Sequence, residues 1–396
     1  MNFSFSEEEQ QFQHRITEFL EAQQHKPYGA DALDFGRWAD SQLADTPARR
    51  EFNRTLAEEG YIGMSWPGKY GGQDMPGIYD YLANEALAQF GAPLIGKGCG
   101  IIGKTLMRHG SEKLKQEFLP RILKAEVEFA LGYTEPGAGS DLASLQLKAT
   151  RSEGGWRLNG QKTFNTSAHF ADWYWVAART NPEAPKHKGI SLFLLPLTQP
   201  GLTITPIHTM GDHRTNAVFF DDVFVSDDYV VGEIDHGWTY ICEALDYERF
   251  SIYTISPLRK AFDMLCESVR KITRDGVALS QDVQIRRRLA RLGTEVEAAT
   301  LLQRRVLMAA ASGAIPSVEA AKFKLYSSEL GKRLADAALD ILGPQALLRC
   351  EAPHAIAEGH WEHLYRATPL DTIGGGTSEI QKNVIARRGL GLPLQN

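Results

Sequence analysis

The hydrophobic period of this 396-residue chain changes twice, and no other feature limits the possible folds so strongly. In the first third, apolar side chains recur every three or four residues, the spacing of one helix face. Ser6 and Glu9 make a capping box ahead of Phe12, Ile16, Phe19 and Leu20. Thr46-Pro47 supplies an N-cap and a first-turn proline for a helix that carries Phe52 and Leu56 and stops at Gly60. After a loop rich in glycine and proline from Tyr61 to Pro76, helices are expected from Ile78 to Phe90, Gly100 to His109 and Ser111 to Leu123.

The period then drops to two. Leu145, Leu147 and Ala149 alternate with polar residues, and Gly154-Gly155 makes a turn. Trp156 and Leu158 alternate before Asn159-Gly160, a dipeptide that predicts a hairpin turn. Trp173, Trp175 and Ala177 alternate next, and further strands are expected around 190–195, 202–207 and 217–225. From Gly237 the helical period returns, with Pro257 expected to kink the first helix. Long helices follow over 281–311 and 316–342, then a loop-rich stretch and a last helix from Thr377. The expected fold class is α+β multidomain. It comprises an N-terminal α-helical domain over 1–127, a small β-barrel over 128–235 and a C-terminal four-helix bundle over 236–396.

Composition narrows the partners. A net charge of −6 argues against nucleic acid. No run of 18 apolar residues is present to span a membrane. The acidic start Met-Asn-Phe-Ser-Phe-Ser-Glu-Glu-Glu lacks a basic region followed by an apolar one, so no secretory signal is expected. Cys99, Cys242, Cys266 and Cys350 lack metal-site spacing and read as reduced thiols of a cytoplasmic protein. His354, His360 and His363 have no companion cysteine or carboxylate at ligand spacing, so no metal site is expected.

Three stretches carry chemistry. Leu131-Gly-Tyr-Thr-Glu-Pro-Gly-Ala-Gly-Ser-Asp141 offers glycines for close backbone approach and the hydroxyls of Thr134 and Ser140. Taken alone it reads as a tight turn entering a β region. It is followed by Asn159-Gly-Gln-Lys-Thr-Phe-Asn-Thr166 and, near the end, by Thr372-Ile-Gly-Gly-Gly-Thr-Ser-Glu-Ile380. With these three in this order, the chain resembles the acyl-CoA dehydrogenase family of flavoenzymes, nearly end to end.

The resemblance implies FAD as cofactor and the same α–β–α arrangement. It sets Tyr133 and Thr134 beside the isoalloxazine ring, Gly139 and Ser140 on the pyrophosphate, and Phe164 and Thr166 against the ring. Many relatives carry tryptophan at the Phe164 position, and without the neighbouring motifs Phe164 reads as a barrel core residue. Arg274 corresponds to an arginine that reaches the FAD of a neighbouring subunit, while Thr377 and Glu379 begin the last helix where it touches FAD. Asp340-Ile-Leu-Gly-Pro344 departs from the family's Gln-Ile-x-Gly-Gly at both ends.

The family's reaction removes a proton from Cα with a carboxylate as a hydride leaves Cβ for flavin N5. The usual glutamate position is Gly375 here. A second known position lies directly before an arginine, and in Asp246-Tyr-Glu-Arg249 that residue is Glu248, the implied base. Gly375 keeps the backbone N–H that polarises the thioester carbonyl. Asp246, Arg249 and Ser140 are the implied substrate contacts, with Arg249 keeping Glu248 ionised. The plain alternative for that run is a solvated helix face with an ordinary ion pair.

The implied activity is dehydrogenation of an acyl-CoA thioester to the trans-2-enoyl-CoA. Electrons would pass to an electron-transfer flavoprotein, in a homodimer, a homotetramer or a heteromer with a homologous subunit. The 374–380 and 214–222 stretches resemble bacterial members acting on sterol side chains and alicyclic acids. Two other readings stay open: a flavin monooxygenase of the same fold, and a non-catalytic partner subunit that supplies half an FAD site.

Overall fold

The computed structural model describes residues 4–24, 26–28, 31–32, 43–251, 254–311 and 316–393; the side chains of 27–28, 31–32, 246–251 and 310–311 lie outside that description. Helix α1 (Glu7–Gln23) starts at the capping box, with Ser6 Oγ accepting from Glu9 N–H and Glu9 accepting from Ser6 N–H. Thr46 caps α2 (Pro47–Glu58) as its sequence requires. Then come α3 (Ile78–Phe90), a π turn (Gly98–Ile102) running into α4 (Gly103–His109), and α5 (Glu112–Leu123).

Eight strands follow: β1 (Phe129–Gly132), β2 (Lys148–Ser152), β3 (Gly155–Lys162), β4 (Trp173–Arg179), β5 (Ile190–Pro196), β6 (Leu202–His208), β7 (Arg214–Ser226) and β8 (Val230–Val231). They hydrogen-bond in the order β8-β5-β4-β2-β3-β7-β6, with β1 added in parallel on β4. Asn159-Gly160 is not a hairpin turn but a bulge within β3: the register with β7 shifts between Leu158 and Gly160. Gly160 takes φ of 139°, and Asn159 Oδ1 accepts from Asp222 N–H across the bulge at 2.8 Å. The hairpin reverses one step earlier, at Gly154 with φ of 69°.

The central strands β4 and β5 are apolar on both faces, because both are covered. Tyr174, Val176 and Ala178 of β4, with Phe193 and Leu195 of β5, fill the interior of the β domain. The alternate residues Trp175, Ala177, Leu192 and Leu194 point the other way, into a core shared with Phe52, Trp66 and Phe118 of the N-terminal region. That same core takes Tyr240 and Ile241 from α6 (Gly237–Ser251).

The expected kink at Pro257 is a full break. Helix α6 ends at Ser251 and α7 (Ser256–Lys271) begins with the proline in its first turn, where the missing N–H costs nothing. Helices α8 (Val283–Ala311) and α9 (Ser317–Leu342) pack with α7 around Leu265, Val296, Phe323 and Leu334. Within the stretch read as loop, α10 (His360–Asp371) forms and buries Trp361; α11 (Ser378–Val384) follows, capped by Thr377. Among the described residues no helix is long and apolar enough to cross a membrane.

Candidate active site

Strand β1 delivers the first motif to a fixed edge of the sheet, since Phe129 to Gly132 pair one by one with Trp173 to Val176. Beyond Gly132 the loop is pinned from inside. Glu135 accepts from the backbone N–H groups of Gln146 and Leu147 at 2.6 and 2.8 Å, and its Oε1 meets Lys162 Nζ at 2.7 Å. Lys162, fully buried, also donates to the carbonyl of Tyr133 at 3.0 Å. Burial lowers the pKa of this ammonium against the pull of Glu135. Tyr133 is itself buried and accepts from Trp175 Nε1 at 2.8 Å. Held at these points, the loop leaves Thr134 half-buried and Gly139 and Ser140 exposed. A Cβ built at Gly137 or Gly139 would meet no atom within 4 Å, so the backbone there stands open to a ligand.

The second motif lies against the first, with Thr163 N–H donating to the carbonyl of Thr134 at 2.9 Å. Buried Asn165 organises this turn. It exchanges hydrogen bonds with Asn216 of β7 in both directions, at 2.9 and 2.8 Å, and accepts from the Tyr174 hydroxyl. Between these anchors Phe164 is forced outward with φ of 58° and is 62% exposed. The core alternative for Phe164 is therefore excluded, and its neighbour Thr166 is exposed beside it.

Contacts continue from this turn to the third motif. Strand β7 leads back to the 209–213 turn, which docks on α10 through Arg366 and Asp212 at 2.7 Å. Helix α10 runs into the 372–377 loop. There Gly375 and Gly376 take φ of 65° and 93°, a region glycine occupies without strain. Buried Lys324 of α9 donates to the carbonyl of Gly376 at 2.7 Å, and Gln381 Nε2 donates to both glycine carbonyls at 3.1 Å. Thr377 Oγ1 accepts from Ile380 N–H at 3.2 Å. Glu379 is exposed, and backbone and Thr377 hydrogen bonds hold its carboxyl below the usual range.

Arg274 stands elsewhere: its guanidinium donates to the carbonyl of Ile341 at 3.0 Å, at the end of α9. Asp340 pairs with Arg288 at 3.0 Å. Asp246, Glu248 and Arg249 lie on the last turns of α6, and their side chains fall outside the described residues. His213 and His363 stack with ring centres 5.7 Å apart, and among the described residues no cluster of three His, Cys, Asp or Glu could hold a metal. Sequence reasoning missed the supports, namely Glu135 with Lys162, Asn165 with Asn216, and Lys324. The available signal was a polar residue at a strand or helix position whose neighbours along the same face are apolar.

Three family models match almost the whole chain: acyl-CoA dehydrogenase N-terminal domain over 6–126, middle domain over 130–223 and C-terminal domain over 235–390. Acyl-CoA dehydrogenase FadE26 of Mycobacterium tuberculosis is 34% identical over 356 residues, 88% of each chain. Among solved structures, the Tcur3481-Tcur3483 steroid ACAD matches with a TM-score of 0.88 at 31% identity, over 100% of both chains. The ChsE4-ChsE5 complex from Mycobacterium tuberculosis matches with 0.89 at 29% identity, again over 100% of both.

Proposed function

This chain belongs to the acyl-CoA dehydrogenase family, and from that premise we propose that it dehydrogenates a bulky acyl-CoA thioester between Cα and Cβ. The observation that carries the reading is the joined pair of surface loops. They present an aromatic ring, two hydroxyls and open glycine backbone side by side, each held by buried polar anchors. That donor set fits FAD. A flavin ring needs a flat apolar partner and hydroxyl donors at its polar edge, and a pyrophosphate needs exposed N–H groups. Tyr133, Thr134, Phe164 and Thr166 would hold the ring, with Gly139 and Ser140 on the phosphates. Thr377 and Glu379 would touch FAD at the start of the last helix, and Arg274 would reach the FAD of a neighbouring subunit. When bound, the flavin supplies the acceptor for the hydride that leaves Cβ.

The chain's own residues supply the rest. Glu248 takes the Cα proton, kept ionised by Arg249 beside it in sequence. The N–H of Gly375 polarises the thioester carbonyl, and the Lys324 and Gln381 bonds hold that loop still. Asp246, Arg249 and Ser140 contact the CoA arm. Electrons leave to an electron-transfer flavoprotein. A cytoplasmic location is part of the same reading, since Cys99, Cys242, Cys266 and Cys350 stand far apart in the sequence without metal-site spacing. The likeness to the solved Tcur3481-Tcur3483 steroid ACAD favours a sterol-derived or alicyclic acyl group.

One observation favours a second reading, in which this chain works with a homologous partner. Asp340, where the family resemblance expects glutamine, is paired with Arg288 of the same chain, while Arg274 gives one of its N–H donors to the carbonyl of Ile341. Two solved neighbours, the Tcur3481-Tcur3483 steroid ACAD and the ChsE4-ChsE5 complex, each carry two component names.

Anaerobic titration with straight-chain, branched and steroid-derived acyl-CoAs, read at the flavin's visible band, tests both. Bleaching by one class, slowed about 10²–10⁴-fold in Glu248→Gln with FAD retained, is the expected result. Undiminished bleaching in that variant removes Glu248 as base. Purified protein that never holds FAD alone, but does so with a homologous subunit, moves the assignment to the second reading.

A further inference from the structure

The cavity of about 240 Å³ between the N-terminal helices and the β domain is balanced in charge, with Lys97 and Lys104 against Asp80 and Glu128 on its wall. At the start of β7 that balance is missing. Arg214 is half-buried there, and among the described residues no carboxylate pairs with it. Two carboxylates that would neutralise it are engaged. Asp212, two residues earlier, meets Arg366 at 2.7 Å, and Asp45 meets Arg49 at 2.5 Å. A half-buried guanidinium without a counter-ion is unfavourable, so what surrounds it decides its role. Arg214 also opens the 214–222 stretch, whose polar residues the dehydrogenase reading leaves without a part.

Its neighbours hold it in one geometry. Asn216, fully buried, accepts from Arg214 Nε at 3.1 Å through Oδ1. The Nδ2 of the same amide donates to the carbonyl of Asn165 at 2.8 Å and to Nδ1 of His169 at 3.0 Å. The amide cannot be turned over, because Nδ2 would then face a second donor and Oδ1 would face a carbonyl oxygen. His169 Nδ1 is therefore the acceptor, and the ring proton sits on Nε2. Burial and then Arg214 lower the His169 pKa while Asp45 pulls the other way, so the ring is neutral near pH 7. With Nε engaged, Arg214 keeps both Nη groups and His169 keeps one N–H, none of them hydrogen-bonded among the described residues. One positive charge and a fork of donors with a further N–H beside it match an oxyanion, two of whose oxygens the fork can take.

We propose that Arg214 and His169, clamped by Asn216, form an oxyanion site beside the second motif. On the dehydrogenase reading above, two ligands bring such a group, as a phosphate of the flavin cofactor or as a carboxylate carried by the acyl chain. The recognition chemistry is the same for both.

The test compares ligands with and without the anion, by calorimetry on the full chain at constant ionic strength. FMN and FAD are set against riboflavin, and adipoyl-CoA against hexanoyl-CoA, for the unsubstituted protein and for Arg214→Met, Arg214→Lys and His169→Phe. In Arg214→Met the dissociation constant of the anionic member of one set is expected to rise about ten- to hundredfold, with its neutral counterpart changed less than about twofold. Arg214→Lys keeps the charge without the fork and should recover part of that loss, and His169→Phe should weaken the same ligand about three- to tenfold. A loss confined to the phosphorylated flavins assigns the oxyanion to the cofactor, and one confined to adipoyl-CoA assigns it to the acyl group. Equal effects on anionic and neutral members in both sets overturn the proposal, since Arg214 would then serve packing alone. Thermal melts check folding, and if Arg214→Met does not fold, the same ratios in Arg214→Lys and His169→Phe decide. If neither thioester bleaches bound flavin, the dehydrogenase reading is what fails, while the flavin set still judges the site.

Discussion

At Phe164 a bulky side chain is held with φ of 58° and faces solvent, a combination that costs about 1–2 kcal/mol and brings no burial in return. The buried Asn165, Asn216 and Tyr174 network overrides that cost and keeps the ring presented. The usual order of substitutions should therefore invert. Phe164→Gly is expected to be more stable than Phe164→Ala by about 1 kcal/mol in urea denaturation of the apoprotein, although both should lose flavin on gel filtration. Alanine matching or exceeding glycine would mean that the turn relaxes and that φ is not imposed by the network.

At the scale of elements, the helix starts are where local chemistry meets distant structure. The N-terminus of α7 is capped not by its own side chains but by Glu85 of α3, which accepts from Ile255 N–H at 2.9 Å and Ser256 N–H at 3.1 Å. Glu85→Leu leaves those N–H groups unpaired and should lower stability by about 2–3 kcal/mol, read as a lower urea midpoint in far-UV circular dichroism. An unchanged midpoint would show that α7 finds its cap elsewhere. This also marks the limit of what the sequence discloses. Ser6, Glu9 and Thr46 were legible because each cap lies within four residues of the N–H it serves. The Glu85 cap was not, since its partners lie 170 residues away. Asn159-Gly160 was misread because the same dipeptide suits a turn and a bulge, and only pairing with β7 distinguishes them. The glycine loop and the hairpin motif could be read directly as candidate cofactor contacts. Lys162 beneath them could not, because nothing local says that a lysine in a strand will be fully buried against Glu135.

At the scale of the whole molecule, the N-terminal helices and the β domain share one apolar core, so ionisation at their junction is felt by folding as a whole. Glu128 lies at that junction. Facing it are Arg50 of α2 and Lys97 before the π turn, which favour its charge, Asp172 before β4, which opposes it, and Asn53 of α2. Asp80 and Lys104 stand on the same cavity wall. Burial outweighs the cations and raises its pKa from 4.5 to about 7. The folded chain therefore holds a proton that the unfolded chain has released between these values, and stability falls as pH rises through that window. The full shift would correspond to about 3 kcal/mol, and partial exposure reduces this to roughly 1–2 kcal/mol. Glu128→Gln cannot ionise, so it should be more stable than the unsubstituted protein by that amount at pH 8 and about equal at pH 4. Urea midpoints at the two pH values measure the difference. A gain of the same size at both would assign the effect to packing of the amide, and a loss at pH 8 would mean that the ionised carboxylate is held by Arg50 and Lys97 after all.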